Sequence, residues 1–492
     1  MPCFLSIDQS TSATKAILLD GNASVLARAS KEHGQSYPQP GYVEQDAGEI
    51  YANTLAVLEE AAAQCNDPSG VRCLSISNQR ETVVVFSRET GEPLYPAIVW
   101  QCRRGTDACQ KLKESGAEPD VHQRTGLTLD PYFSASKLQV LIEANPGLTQ
   151  QLEEGRALVG TIDTYLIYRL TRGRVFATDH TNACRTLLYN ITERDWDDHL
   201  CDLWGVPRKA LAEIRDCDAT FGEVADCEPL NGTPICGVMG DSHASLFAQR
   251  CFSPGMTKVT LGTGSSILMN IGEAASLSDN GVLTTLGWVR SNKATYALEG
   301  IIVSSASTLA WLKSQLGILA DAAESESLAT EIDDNGGVYL VPAFTGLGLP
   351  HWDPNARALI TGLSSHSDRR HVVRAALEAI AYQLKDALDA MAASSSLELK
   401  AVHADGGPTA NRFLMQFIAD MTQIPVRVSS VADGSPLGSA LMGMIGTGTI
   451  ADLESLPEPA GNEPVYSPAM DDQQKQKLYA GWSSAIRQAL LH

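Results

Sequence analysis

The sequence predicts an α/β protein built as two large domains, and three observations lead there. Short apolar runs that stop at glycine turns alternate with stretches of helical periodicity. A strand, a turn rich in small hydroxyl residues and a second strand open the chain, and the same design returns past its midpoint. The length of 492 residues exceeds what one hydrophobic core supports. The recurrence implies two related halves facing each other across a shared ligand, divided as 1–247 and 248–492.

Taken in order, Phe4 to Asp8 reads as a strand, Gln9 to Thr14 as a polar turn and Lys15 to Asp20 as the returning strand. In the plainest reading Asp8 caps that turn. Pro234 to Met239 reads as a buried strand ending at Gly240, which brings the carboxylate of Asp241 out at a strand's end. Such a carboxylate suits a general base; a turn residue or helix N-cap is the other reading. Lys258 to Leu268 reads as strand, glycine turn, strand, and its Gly262-Thr263-Gly264 turn offers backbone N–H groups to a phosphate. Val373, Leu377, Ile380, Leu384, Ala387 and Met391 recur at helical spacing, so Asp368 to Met391 is a long helix with one face on a core. Leu399 to Gly407 is a strand ending in a glycine turn. Asp321 to Glu331 and Ala393 to Ser396 read as loops or helix ends, and the Pro- and Glu-rich tail from Ala451 to Ser467 as a wrap over the surface.

Composition narrows the function. With 58 Asp and Glu against 37 Lys and Arg, the formal net charge is -21, which repels nucleic acid and anionic membrane over most of the surface. No apolar run reaches the length of a membrane span, and the first residues lack the basic region and apolar core of a signal peptide. The expectation is a cytoplasmic enzyme of small molecules, with no nucleic-acid partner and no membrane insertion. The eleven cysteines form no C-x-x-C pair, which indicates neither a disulfide framework nor a zinc site.

The reading becomes specific at Asn78-Gln79-Arg80-Glu81-Thr82. Together with Ile98-Val99-Trp100-Gln101-Cys102-Arg103-Arg104, Asp130-Pro131-Tyr132-Phe133-Ser134, Gly160-Thr161-Ile162-Asp163, Gly240-Asp241, Gly262-Thr263-Gly264 and Asp405-Gly406-Gly407-Pro408-Thr409-Ala410-Asn411, it resembles the FGGY family of carbohydrate kinases, glycerol kinase subgroup. The matches run in order along nearly the whole chain, short of about the last forty residues. The resemblance implies two ribonuclease-H-like domains, as in actin and hexokinase, with the active site in the cleft between them. It also implies a set of roles. Arg80, Glu81, Trp100, Tyr132 and Asp241 border the polyol, and Asp241 takes the proton of the attacking hydroxyl. Asp8 holds Mg²⁺ through water. Thr11, Ser12, Lys15, Gly262, Thr263, Ala306, Gly407 and Asn411 line the phosphates and the nucleotide of ATP. The chemistry agrees with the residue types, since a carboxylate, a guanidinium fork and a phenol match the donors and acceptors of vicinal hydroxyls. Read alone, Arg80-Glu81 is equally a surface ion pair and Trp100 a core aromatic.

Several positions depart from the glycerol-kinase pattern, among them Ser10, which stands for a Gly in the first hairpin. Ser242 stands for the usual Gln after the catalytic Asp, Ser266 for the usual Phe after the glycine turn, and Lys15 for an Arg; Ala306 and Ala310 replace a Gly and a Gln near the nucleotide. Both serines border the substrate in the family, so a four- or five-carbon polyol or ketose of the erythritol, threitol or xylulose type is the alternative substrate. A non-catalytic sugar or nucleotide sensor is disfavoured by the presence of both Asp8 and Asp241. A homo-oligomer stays open.

Overall fold

A computed structural model describes residues 2–65, 70–278, 280–353, 355–429, 433–457 and 463–491. The first sheet is built from β1 (Cys3–Gln9), β2 (Ala13–Asp20), β3 (Val25–Glu32), β4 (Val71–Asn78), β5 (Thr220–Glu223) and β6 (Pro234–Gly240), in the order β5-β6-β4-β1-β2-β3. Helix α1 (Ala47–Ala62) precedes β4, and α2 (Asp241–Ala248) leaves β6 directly. The second sheet contains β7 (Met256–Leu261), β8 (Ser265–Gly272), β9 (Leu283–Arg290), β10 (Lys293–Ile302), β11 (Ala401–Asp405), β12 (Val426–Val428) and β13 (Val465–Tyr466), in the order β9-β10-β8-β7-β11-β12-β13. Its helices are α3 (Arg369–Ser395), α4 (Arg412–Thr422) and α5 (Gly434–Gly446).

The two sheets repeat one plan. In each, the opening hairpin (β1–β2, β7–β8) is antiparallel, and the hairpin's first strand pairs in parallel with a strand that follows a long helix or insertion (β4, β11). A further parallel strand, β6 or β12, completes the row. Both hairpins therefore point their turns, and β4, β6 and β11 their C-terminal ends, at the same gap. Ligands in open α/β sheets bind at such C-terminal strand ends. The recurrence seen in the sequence is thus a repeat of whole domains. The first domain also carries an inserted sheet of Glu44–Gln45, Ala97–Ile98, Val83–Ser87 and Ala157–Thr161, whose strands border Arg80, Glu81 and Trp100 in sequence.

Packing joins the halves more closely than the repeat alone predicts. Helix α5 falls between β12 and β13 of the second sheet in sequence yet lies on β6, β4 and β1 of the first, crossing α2. A Cβ built on Gly438 would stand 1.8 Å from the carbonyl oxygen of Ala244, so at this crossing the two backbones touch and only glycine fits. The resulting core mixes Phe4, Met239 and Phe247 with Leu268, Leu441 and Met444. Of three local readings, two change and the helix end at Ala393 holds. Glu324–Thr330 is a helix with Ser325, Leu328 and Ala329 buried, because its polar residues face solvent while three small or apolar ones meet α3. Ala393 to Ser395 simply ends α3. The tail is not a plain wrap: Leu456 is buried and Val465–Tyr466 adds a strand to the second sheet, while 458–462 lie outside the described residues. Among the described residues no disulfide forms, and no helix is long and apolar enough to cross a membrane.

Candidate active site

Strand β6 delivers Asp241 to the gap as the first residue of α2, following Gly240, whose extended φ of -62° and ψ of 146° turns the chain from strand to helix. As a first-turn residue its carboxylate meets the positive end of the helix. Asp241 Oδ1 lies 3.3 Å from Arg80 Nε, and its side chain is 35% exposed, so the carboxylate faces the cleft while a buried guanidinium holds its rear. The cap reading is not realised: the only backbone N–H it accepts among the described residues is that of Ser242, at 2.6 Å.

On the same side of the cleft, two strands away in the first sheet, stands Asp8, near the end of β1 and opposite Lys15 in the hairpin register. Burial raises the Asp8 pKa to about 7, the charge of Asp241 adds to the shift, and the Ser77 hydroxyl, donating to Oδ1 at 2.9 Å, opposes it. Oδ2 has no hydrogen-bond partner among the described residues. Asp8, Lys15, Asp241 and Ser242 share a cavity of about 560 Å³ with Lys258, Asp405 and Gly407 from the second half. One buried carboxylate with a free oxygen fits Mg²⁺, a hard cation that keeps most of its waters. Among the described residues no group of three or more His, Cys, Asp or Glu could hold a metal through side chains alone.

Arg80 and Glu81 are no surface pair. They belong to a buried quartet with two residues the sequence reading did not pick out, Arg185 and Glu299. Arg80 Nη1 donates to Glu299 Oε1 at 2.9 Å, Arg185 Nε donates to Glu81 Oε1 at 2.7 Å, and Arg185 Nη2 abuts Glu299 Oε2 as a contact ion pair. Burial disfavours the Glu299 carboxylate, but Arg185 and Arg80 outweigh it and hold its pKa below the ordinary value. Burial also works against the charge on Arg80, and Glu299 and then Glu81 overcome it. Glu81 adopts φ 62°, a left-handed conformation that costs a non-glycine residue about 1–3 kcal/mol and persists only where its surroundings enforce it. Glu299 had a sequence signal: a lone charge within the apolar strand Ala297-Leu298-Glu299-Gly300-Ile301. Arg185 had none.

The aromatic wall is connected to the phosphate hairpin. Trp100 meets Tyr132 edge-on with ring centroids 5.4 Å apart, and its Nε1 donates to Thr11 Oγ1 at 2.9 Å. The backbone N–H of Trp100 donates to Thr82 Oγ1, Thr82 Oγ1 donates to Gln79 Oε1, and Gln79 Nε2 donates to Gln45 Oε1, whose amide returns to the Thr11 carbonyl at 2.6 Å. Residues assigned separately to polyol and phosphate thus form one network. Ser242 Oγ and Ser266 Oγ lie 3.5 Å apart, one from each half.

The nucleotide residues divide. Thr263 is exposed and Gly262 half-buried at the β7–β8 turn, and Ala306 N–H donates to the Gly262 carbonyl at 3.0 Å, so these three do meet. Ser12 is exposed at the first hairpin's tip. Gly407 lines the cavity beside Gly406, whose φ of 98° and close approach to the Leu261 carbonyl exclude a side chain. Asn411 does not join them. Its Oδ1 caps α4 by accepting from Leu414 N–H at 2.9 Å and its Nδ2 donates to Ser325 Oγ, so helix capping has taken the side chain expected at the nucleotide.

Behind Tyr132, the buried Lys137 donates from Nζ to the carbonyls of Tyr132 and Phe133, the latter at 3.0 Å. Burial pulls its pKa down to about 7. The folded value lies below that of the unfolded chain, about 10.4. Between the two the unfolded chain binds more protons, so stability rises with pH by up to about 1.4 kcal/mol per unit. Below about pH 7 the cost of the buried charge is fully present. Urea unfolding of wild type and Lys137→Met at pH 7.5 and 9 is expected to show the wild type gaining up to about 2 kcal/mol relative to the variant. An unchanged difference would mean a lysine charged throughout.

The chain is similar to known proteins along nearly its whole length. Residues 3–248 match the N-terminal domain, and 257–447 the C-terminal domain, of the FGGY family of carbohydrate kinases. Glycerol kinase 1 of Thermotoga maritima is 44% identical over 490 residues, covering 99% of each chain. Glycerol kinase of Pseudomonas putida is 44% identical over 98% of this chain and 96% of its own. The crystal structure of Plasmodium falciparum glycerol kinase with ADP superposes with TM-score 0.95 at 33% identity, over 100% of this chain and 99% of that one. A ligand-bound xylulose kinase from Lactobacillus acidophilus, at 21% identity and TM-score 0.88, shares the fold. Full-length identity above forty per cent, two matched domains and a common two-sheet plan leave one assignment: this chain belongs to the FGGY family of carbohydrate kinases.

Proposed function

We propose that the protein transfers the γ-phosphoryl group of ATP to a primary hydroxyl of glycerol, in a cleft between halves divided near residue 248. The observation that carries this is the Asp241 carboxylate, backed by Arg80 at 3.3 Å and facing a cavity that Asp8 and Gly407 share. The similarity to glycerol kinases along the whole chain supports the choice of substrate. Arg80, Tyr132 and the edge of Trp100 orient the polyol, and Asp241 accepts the proton of the attacking hydroxyl. The polyol oxygen forms a bond to phosphorus, the bond from phosphorus to the ADP oxygen breaks, and the proton stays on Asp241. The hairpin turns at Thr11-Ser12 and Gly262-Thr263 receive phosphate oxygens on N–H and hydroxyl groups. Asp8 would hold Mg²⁺, which supplies neutralising charge on the phosphates. Closure of the cleft excludes water. The direct experiment is ATP-dependent phosphorylation of a panel of polyols and ketoses, with glycerol turned over best. Absence of turnover on every member overturns the reading.

The pair Ser242–Ser266 favours a wider tolerance. Where a Gln and a Phe would fill the site, two hydroxyls 3.5 Å apart leave room and polar partners for a fourth carbon. Erythritol or threitol is expected to be used better, relative to glycerol, than in the double variant Ser242→Gln with Ser266→Phe. One matched contact is worth about tenfold to two-hundredfold in kcat/KM. An unchanged ratio between three- and four-carbon substrates would refute it.

A further inference from the structure

Lys258 lies on β7, with its Cα paired to His403 of β11, and its side chain is 1% exposed while lining the cavity between Asp241 and Asp405. Among the described residues its ammonium makes no hydrogen bond and no ion pair within 4.0 Å. Lys15 is the other cation lining that cavity, and it is exposed. The obvious internal partner is engaged elsewhere: Asp405 Oδ2 accepts from Ser245 Oγ of α2 at 3.0 Å and from Nε2 of Gln249, which caps that helix, while Asp405 Oδ1 is buried without a partner. Burial pulls the Lys258 pKa down, with Asp405 and Asp241 working against the shift from a distance. An unpaired ammonium taken out of water is costly, and a fold keeps one cheaply only as apolar packing or as a waiting partner for an anion. Apolar packing does not describe a head group that opens on a polar cleft.

Resting on the kinase reading above, we propose that Lys258 is a catalytic residue that binds the transferring phosphoryl group. It approaches from the second sheet while Asp241 holds the acceptor hydroxyl from the first. Its ammonium neutralises charge on the equatorial oxygens as the group passes from ADP to the polyol, and exchanges no proton in the step. Asp405, tied to α2, keeps the lysine from collapsing onto its own domain's carboxylate.

The test compares wild type with Lys258→Met, which keeps the stem and removes the charge, and with Lys258→Gln, read in the same way should the first not fold. Three quantities are measured: kcat with glycerol and ATP, affinities for MgADP and Mg-AMP-PNP by calorimetry, and thermal stability without ligand. Expected are a loss of kcat of at least about a hundredfold, about tenfold weaker Mg-AMP-PNP binding with MgADP within about twofold, and a melting temperature no lower than wild type. Turnover within about threefold of wild type, or equal loss of both nucleotides, overturns the proposal. Loss of turnover with a lower melting temperature and unchanged nucleotide discrimination also overturns it, as the mark of a structural lysine. Should wild type fail on glycerol while Lys258→Met still weakens Mg-AMP-PNP selectively, the polyol assignment falls and Lys258 stands.

Discussion

Asp241→Asn is expected to lower kcat by about a hundred- to ten-thousandfold with the fold intact. The amide preserves shape and leaves Arg80 its contact with Glu299, so the buried quartet survives the substitution. A side chain 35% exposed on the first turn of α2 contributes little to stability, and the melting temperature should stay within about two degrees. The loss should fall on kcat rather than on KM for ATP, because no phosphate contact is removed. ATP-dependent glycerol phosphorylation and thermal unfolding, measured on one preparation, check both halves. Activity within a few-fold of wild type would remove Asp241 from the role of base.

The second large effect is structural. Glu299→Ala removes the carboxylate that pairs with both arginines, leaving buried Arg185 with Glu81 alone and Arg80 with the half-exposed Asp241 at 3.3 Å. Breaking one member out of a buried ion cluster costs about 3–5 kcal/mol, most of it the burden of an uncompensated charge. Urea unfolding should register that loss, together with weaker polyol binding as Arg80 shifts. The companion variant Glu299→Leu with Arg185→Met removes one charge of each sign. It should recover a large part of the stability, since apolar groups of similar volume replace a buried pair at little cost. Equal destabilisation in the single and double variants would mean that the quartet is held by shape and not by charge.

Much of the site was legible because its anchors are local. Asp8, Asp241 and the Gly262 turn sit where an apolar run meets a glycine or hydroxyl-rich turn, and that signal lies within ten residues of chain. The apposition of Ser242 and Ser266 was legible through the resemblance alone, since one lies on α2 in the first half and the other on β8 in the second. The quartet was half-legible. Arg80-Glu81 stands out as a motif, but Arg185 and Glu299 join it from distant elements, and no sequence spacing encodes that meeting. Asn411 carries two meanings, because a residue that suits a ligand amide suits a helix cap equally well, and its Oδ1 accepts from Leu414 N–H. The crossing of α5 onto the first sheet was invisible for a related reason. An apolar helix declares that it will be buried, and nothing in its periodicity names the surface that will bury it.

That crossing sets the timetable of synthesis. The strands of the first sheet are complete once Gly240 leaves the ribosome, but the helix that covers the face bearing Phe4, Ile17 and Met239 begins only at Gly434. Between Gly240 and Gly434 this apolar face lacks that helix, and the first domain cannot reach its final packing as an independent nascent unit. The last quarter of the chain must return to close the first, so the two halves mature together.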